Sequence, residues 1–279
     1  MVERLAIVGL GLIGGSIAGA ARARSAAREI VAVSRTPASI AQARRSGIAD
    51  RATANLVEGI RDADLVVLCT PVGTLPGLVR EAWPCLASGA VLTDVGSVKA
   101  TVVATAESCP PRPGVAFVGS HPMAGSERSG LQASDPDLFE GRLVLLTPTS
   151  RTSTDAVTRL TAFWEALGSR VRLIAPEAHD RAVAAVSHLP QLAAYALVTV
   201  ANGDALAFAG RGFGDTTRIA ASAETLWADI FRGNREPLLA VLAQFRETLA
   251  RWEALIREGQ WEALEATLAR AREVREELS

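Results

Sequence analysis

Only three histidines occur in this 279-residue chain, and one, His121, sits in the run Ser120-His121-Pro122-Met123-Ala124-Gly125-Ser126-Glu127. The run follows the apolar segment Val115-Ala116-Phe117-Val118, so it reads as a polar loop at the end of a strand. Open α/β sheets bind and transform ligands at the carboxyl ends of their strands, and an imidazole there can take or give a proton near neutrality. A second polar run, Asp94-Val95-Gly96-Ser97-Val98-Lys99, closes the apolar segment Val91-Leu92-Thr93. Ser97 and Lys99 can orient such an imidazole and offset negative charge; equally, Ser97 can cap a helix and Lys99 can point to water. In Ser187-His188-Leu189-Pro190-Gln191, Pro190 removes one helical hydrogen bond and predicts a kink at His188. His188 is then either ligand-facing or a core histidine. Arg218, after the glycine-rich stretch 210–214, suits a bidentate grip on a carboxylate or, more plainly, an exposed ion pair.

The elements that must position these groups begin at the amino end. Arg4-Leu5-Ala6-Ile7-Val8 reads as a buried strand, and Gly9-Leu10-Gly11-Leu12-Ile13-Gly14 follows at once, opening an alanine-rich helix from Gly15 to about Arg24. Gly9 permits the tight turn, Gly11 lets a pyrophosphate approach the backbone, Gly14 lets helix and strand pack closely, and the helix amides face the anion. With a second strand at Ile30-Val31-Ala32-Val33, the pattern predicts dinucleotide binding through Gly9, Gly11, Leu12, Ile13 and Gly14. The end of that second strand, Ser34-Arg35-Thr36-Pro37, has no carboxylate for the ribose hydroxyls of NAD. Arg35 with the hydroxyls of Ser34 and Thr36 can instead hold a 2′-phosphate, which favours NADP. The alternative is a solvated Arg35 beside a Thr36 helix cap. Residues 64–72 read as another buried strand, ended by proline, so Thr70, Pro71 and Val72 are expected to border the cofactor.

Helices are expected at 38–46, 75–86 and 154–167, with strands at 143–146 and 170–174. From Pro176 onward the pattern is helical, which predicts a dinucleotide-binding domain over 1–175 and a helical domain over 176–279. A helix expected at 177–209 is apolar almost all round from Ala182, a sign of burial on every side. Leu238, Leu242, Phe245, Leu249, Trp252 and Ile256 recur in steps of four and three, and Trp261, Leu264 and Leu268 repeat that rhythm. These seams either close a bundle within one chain or pack on a second chain, and the apolar helix favours a homodimer. With 29 basic and 30 acidic residues there is no nucleic-acid footprint. Cys69, Cys85 and Cys109 match neither a disulfide framework nor a metal site, and Cys69 reads as a core residue. The sequence starts without a basic segment followed by an apolar run, and no unbroken apolar stretch reaches about 18 residues, so a soluble cytoplasmic protein is expected.

Taken in order, the glycine motif at 9–14, the runs at 94–99 and 120–127, Ser187-His188-Leu189-Pro190, and Asp215-Thr216-Thr217-Arg218-Ile219-Ala220 with Trp227 beyond resemble the prephenate/arogenate dehydrogenase family of tyrosine biosynthesis. The resemblance implies an α/β fold, a Rossmann-type doubly wound sheet followed by an all-α helical dimerisation domain, with the active site in the cleft between them. It implies an NAD(P)-dependent oxidative decarboxylation of prephenate to 4-hydroxyphenylpyruvate. His121 would accept the hydroxyl proton, Ser97 would hold His121 and the hydroxyl in register, and Arg218 would grip the ring carboxylate. Ser126, His188 and Trp227 line the substrate pocket by the same resemblance. Gln191 stands where family members often carry a second histidine; its amide can bond to the keto acid of prephenate but cannot ion-pair with the ammonium of arogenate, which favours prephenate over arogenate. A β-hydroxyacid dehydrogenase would need a catalytic lysine in the helical region, and no lysine follows Lys99. A catalytically silent NADP-sensing dimer would need no acid–base group, and His121, Ser97 and Arg218 argue against it.

Overall fold

Strand β1 (Val2–Val8) divides the core: Leu5 and Ile7 go to one face and Ala6 and Val8 to the other, all of them buried. Such a strand is apolar on both sides because helices cover both sides. The computed structural model describes residues 1–125, 128–201 and 203–277. After β1 come α1 (Leu12–Ala23), β2 (Ala27–Val33), α2 (Pro37–Arg45), β3 (Arg51–Thr53), α3 (Leu56–Ile60) and β4 (Leu65–Leu68). The alternation continues with α4 (Leu75–Ala82), β5 (Val91–Asp94), α5 (Ala100–Ser108) and β6 (Ala116–Phe117). The strands pair in the order β3-β2-β1-β4-β5-β6, all parallel. This is the doubly wound Rossmann-type sheet. Its order reverses between β1 and β4, where the strand ends open a crevice. One core on the sheet holds Leu5, Ile7, Ile17, Ile30 and Trp164; a second holds Val8, Leu68, Leu75, Val79 and Leu92.

A smaller sheet follows, with β7 (Gly119–Pro122), β8 (Leu143–Thr147), α6 (Thr154–Ala166) and β9 (Arg170–Leu173). β7 runs antiparallel to β8, which is parallel to β9. Ser120, His121 and Pro122 are therefore strand, not loop, and His121 pairs with Leu145. Only Val118 separates β6 from β7, so the chain passes between sheets without a turn signal. Strand β3 also escapes a reading by periodicity, because its three residues are too few to show one.

Helix α7 (Pro176–Val183), a π-helical turn (Ala184–His188) and α8 (Leu189–Val200) form one run. The widened turn lies just before Pro190, which cannot donate a helical hydrogen bond. The run ends at Val200 instead of continuing to 209, and most of the glycine-rich stretch 210–214 lies in a helix, α9 (Arg211–Thr217). A 3-10 turn (Arg218–Ala221) then leads to α10 (Glu224–Gly233). Nor is the run buried on every side: Val186 is 70% and Val200 79% exposed. By length and composition alone it would be able to cross a membrane.

The chain divides into two compact units, Met1–Asn234 and Arg235–Ser279. The first extends well past Ala175 because Asp180 of α7 bonds to the start of α5, and Ile230 of α10 packs with Val72 and Val98. The second consists of α11 (Arg235–Arg257) and α12 (Trp261–Glu276), with Leu249, Ile256, Trp261 and Leu268 of the two seams exposed.

Candidate active site

The glycine motif builds a cradle for an anion. Gly9 has φ +104°, and a Cβ there would stand 2.7 Å from the Cys69 carbonyl oxygen. A Cβ on Gly14 would meet the Gly9 carbonyl at 1.9 Å, whereas one on Gly11 would meet nothing within 4 Å. The first turn of α1, with Leu12 and Ile13, has neither an acidic side chain nor a side-chain cap, so its amides remain available to a phosphate. The residues present therefore fit a dinucleotide. At the end of β2, Ser34 Oγ accepts from the Thr36 amide at 3.2 Å, Arg35 is exposed and Pro37 starts α2. At the end of β4, Thr70 Oγ1 lies 2.7 Å from Thr74 Oγ1, and Pro71 and Val72 enter a 3-10 turn. Burial pushes the Cys69 thiol up, with Asp94 adding to the shift, which suits a core residue and not a nucleophile.

All three histidines of the chain lie in one hydrogen-bonded network. His121 Nδ1 is 2.8 Å from His179 Nε2, and His179 Nδ1 is 2.8 Å from Asp180 Oδ1. Asp180 also caps α5, accepting from the Lys99 amide at 2.8 Å and the Ala100 amide at 2.9 Å. Its carbonyl accepts from Asn234 Nδ2 at 2.8 Å, and the same Nδ2 lies 3.0 Å from His188 Nδ1. His188 is fully buried, stands edge-on to Trp227 with ring centroids 6.1 Å apart, and its Nε2 has no partner. Burial, reinforced by His179, Lys99 and His188, holds His121 well below the ordinary imidazole value, so the ring is neutral. Burial also brings His188 down to about 4, against the opposing pull of Asp180.

Beneath His121 lies an ion pair with no exposure at all: Lys99 Nζ contacts Asp94 Oδ2 and donates to the Ser120 carbonyl at 2.8 Å. Burial raises the Asp94 carboxyl and lowers the Lys99 ammonium, and each group's charge opposes the other's shift. Lys99 thus does not face water; it ties the β5–α5 loop to the peptide just before His121.

Several expected residues gather here and others do different work. Ser97 is half-buried in the β5–α5 loop without a hydrogen bond to His121, and it does not cap α5; His179 orients the ring and Asp180 supplies the cap. Gln191 donates its amide to the Ile219 carbonyl at 2.8 Å, so it braces the turn after Arg218 instead of offering that N–H to a ligand. Arg218 is exposed at the start of that turn, and Trp227 is half-buried on α10. Ser126 lies outside the described residues. His179, Asp180 and Asn234 join this network although the sequence did not single them out. An imidazole and a carboxylate side by side just after Pro176 were the available signal.

A dinucleotide cradle with a neutral buried imidazole on the adjoining small sheet defines a nicotinamide-dependent oxidoreductase. The chain matches the family described as "Prephenate dehydrogenase, nucleotide-binding domain" over residues 17–173 and "Prephenate dehydrogenase, dimerization domain" over residues 175–270. It belongs to the prephenate dehydrogenase family. It is 36% identical to the cyclohexadienyl dehydrogenase of Zymomonas mobilis, over 87% of this chain and 85% of that one. The crystal structure of A. aeolicus prephenate dehydrogenase in complex with hydroxyphenyl propionate and NAD+ is similar at 33% identity and TM-score 0.93, covering 100% of this chain and 99% of that one. Synechocystis arogenate dehydrogenase is similar at 30% identity and TM-score 0.86, covering 99% and 100%.

Proposed function

We propose that this chain oxidises and decarboxylates prephenate to 4-hydroxyphenylpyruvate and carbon dioxide. The observation that carries the reading is the neutral His121, backed by His179 and Asp180, on a strand that follows the nucleotide-binding sheet. A bound nicotinamide would supply the hydride acceptor for the carbinol carbon of the cyclohexadienol ring. His121 accepts the hydroxyl proton as that hydride leaves. Loss of the ring carboxylate as carbon dioxide returns an electron pair to the ring, which becomes a phenolate, and the proton held on His121 is available to that oxygen. Aromatisation makes the step effectively irreversible. Arg218 grips the ring carboxylate, and Ser97, His188 and Trp227 border the substrate.

Arg35 supports NADP as the preferred nucleotide: it stands exposed at the end of β2 beside Ser34 and Thr36, with no acidic residue in that run. The exposed apolar residues Val186, Val200 and Phe208, with those of α11 and α12, support a homodimer through the helices from 176 onward. The same pairing gives the apolar α7–α8 run a protein partner in place of a membrane. Three free cysteines support a cytoplasmic location. Steady-state assays with prephenate and arogenate, each with NAD and NADP, test the reading. The expected outcome is a higher kcat/KM for prephenate with NADP, erosion of the NADP preference in Arg35→Ala, and 4-hydroxyphenylpyruvate as product. Equal use of both nucleotides refutes the phosphate assignment, arogenate preference refutes the substrate, and no turnover on either refutes the activity.

A further inference from the structure

We propose that Asp180 sets the tautomers of two buried imidazoles, acting through His179 on His121 and through Asn234 on His188. One ring then presents a lone pair and the other an N–H. The kinetic consequences rest on the reading of His121 as the proton acceptor; the network itself does not.

The first arm follows from donor and acceptor counts. Both Asp180 oxygens already accept backbone N–H groups, Oδ1 from Lys99 and Oδ2 from Ala100, so the contact from His179 Nδ1 also ends on an acceptor. In its neutral form His179 therefore carries its proton on Nδ1 and turns a lone pair on Nε2 toward His121 Nδ1, 2.8 Å away. That contact places the single proton of the neutral His121 ring on Nδ1. The nitrogen left basic is Nε2. Without His179 the ring would be free to adopt the other tautomer, in which Nε2 carries a proton and accepts none.

The second arm starts from the peptide of the same residue. The Asp180 carbonyl accepts only, so Asn234 must turn its NH2 group, not its oxygen, toward that carbonyl. The second hydrogen of that NH2 then points at His188 Nδ1, 3.0 Å away, which accepts it. His188 is accordingly protonated on Nε2, the buried atom that has no partner among the described residues. A buried N–H without an acceptor is unfavourable, and a ligand oxygen placed there relieves it. His188 is thus a neutral hydrogen-bond donor, while His121 is a neutral acceptor. His179, Asp180 and Asn234 are positioning residues.

Because the chain has only three histidines, 15N-detected NMR of the imidazoles of the intact protein at neutral pH, without ligands, reads the network directly. The expected result is Nδ1–H on His121 and His179 and Nε2–H on His188. His121 or His188 in the opposite tautomer overturns the proposal, whatever the substrate proves to be. Kinetics of two variants read its consequence. In His179→Gln the amide oxygen can still accept from His121 Nδ1–H; in His179→Ala nothing can. We expect His179→Ala to lower kcat on the order of tenfold or more with KM for prephenate nearly unchanged, and His179→Gln to recover most of the loss. Full kcat in His179→Ala, or equal loss in both variants, overturns tautomer control. Should His179→Ala fail to fold, the spectrum of the unmodified protein and the activity of His179→Gln decide. Absence of turnover on prephenate with the expected tautomers would reject the activity and leave the network standing.

Discussion

His121 and His188 are both neutral, and their environments suit that state to different ends. For His121, replacement by asparagine keeps a polar side chain of similar reach but removes the proton acceptor. We expect kcat to fall by roughly 10²-fold or more with nucleotide affinity intact, as read by fluorescence titration; unchanged turnover would remove His121 from the mechanism. For His188 the consequence lies in stability. Its folded-state value of about 4 lies below the 6.5 of the unfolded chain, so in that interval the unfolded state binds the extra proton more tightly. Stability is whole above 6.5 and is lost as the pH falls toward 4, by up to about 3 kcal/mol. His188→Gln retains an acceptor for Asn234 but does not titrate. Thermal denaturation at pH 7 and pH 4 should show a smaller acid-induced drop in Tm for the variant than for the parent, and equal drops would count against the depressed value.

At the scale of elements, two glycines of one motif do separable work. Gly14 lets α1 approach β1, and a methyl there collides with a peptide carbonyl that has no room to yield. Gly14→Ala should therefore lower Tm on the order of 5 °C or more. Gly11→Ala meets open space, so its Tm should stay near the parent's while KM for the nucleotide rises about tenfold, because the methyl takes the place of the approaching phosphate. The opposite assignment of the two effects would refute this division. The strand, glycine turn and helix were legible beforehand because the signals are contiguous: each glycine acts on neighbours within a few residues. Strand β7 was not legible, since its partner β8 lies beyond a loop of some twenty residues and its own residues, Gly-Ser-His-Pro, have no strand alternation. The start of α5 stayed open for a related reason: its cap comes from Asp180, 80 residues away, and not from the nearby Ser97.

For the molecule as a whole, the helices from 176 onward carry more exposed apolar surface than a chain on its own favours. Val200 and Phe208 are 79% and 87% exposed, and both belong to the first compact unit. If they meet a second chain, Val200→Glu with Phe208→Glu should convert a dimer to a monomer by light scattering while the secondary structure is kept; an unmoved mass would exclude that face from the interface. The imidazole network lies entirely within Met1–Asn234, so it does not depend on a junction between the two units.

Local order along the chain determined the nucleotide cradle, the parallel strands that carry it, and His121, Arg35 and Arg218 as candidates, because these depend on neighbouring residues and on periods of two and 3.6. Tertiary structure decided what each candidate faces. His179, 58 residues from His121, became its partner; Lys99 turned inward to Asp94; and Gln191 was taken up by the backbone. Hydrogen-bond partners of buried groups are chosen by proximity in space, where any nearby acceptor serves, and such pairings leave no periodic trace in the order of residues.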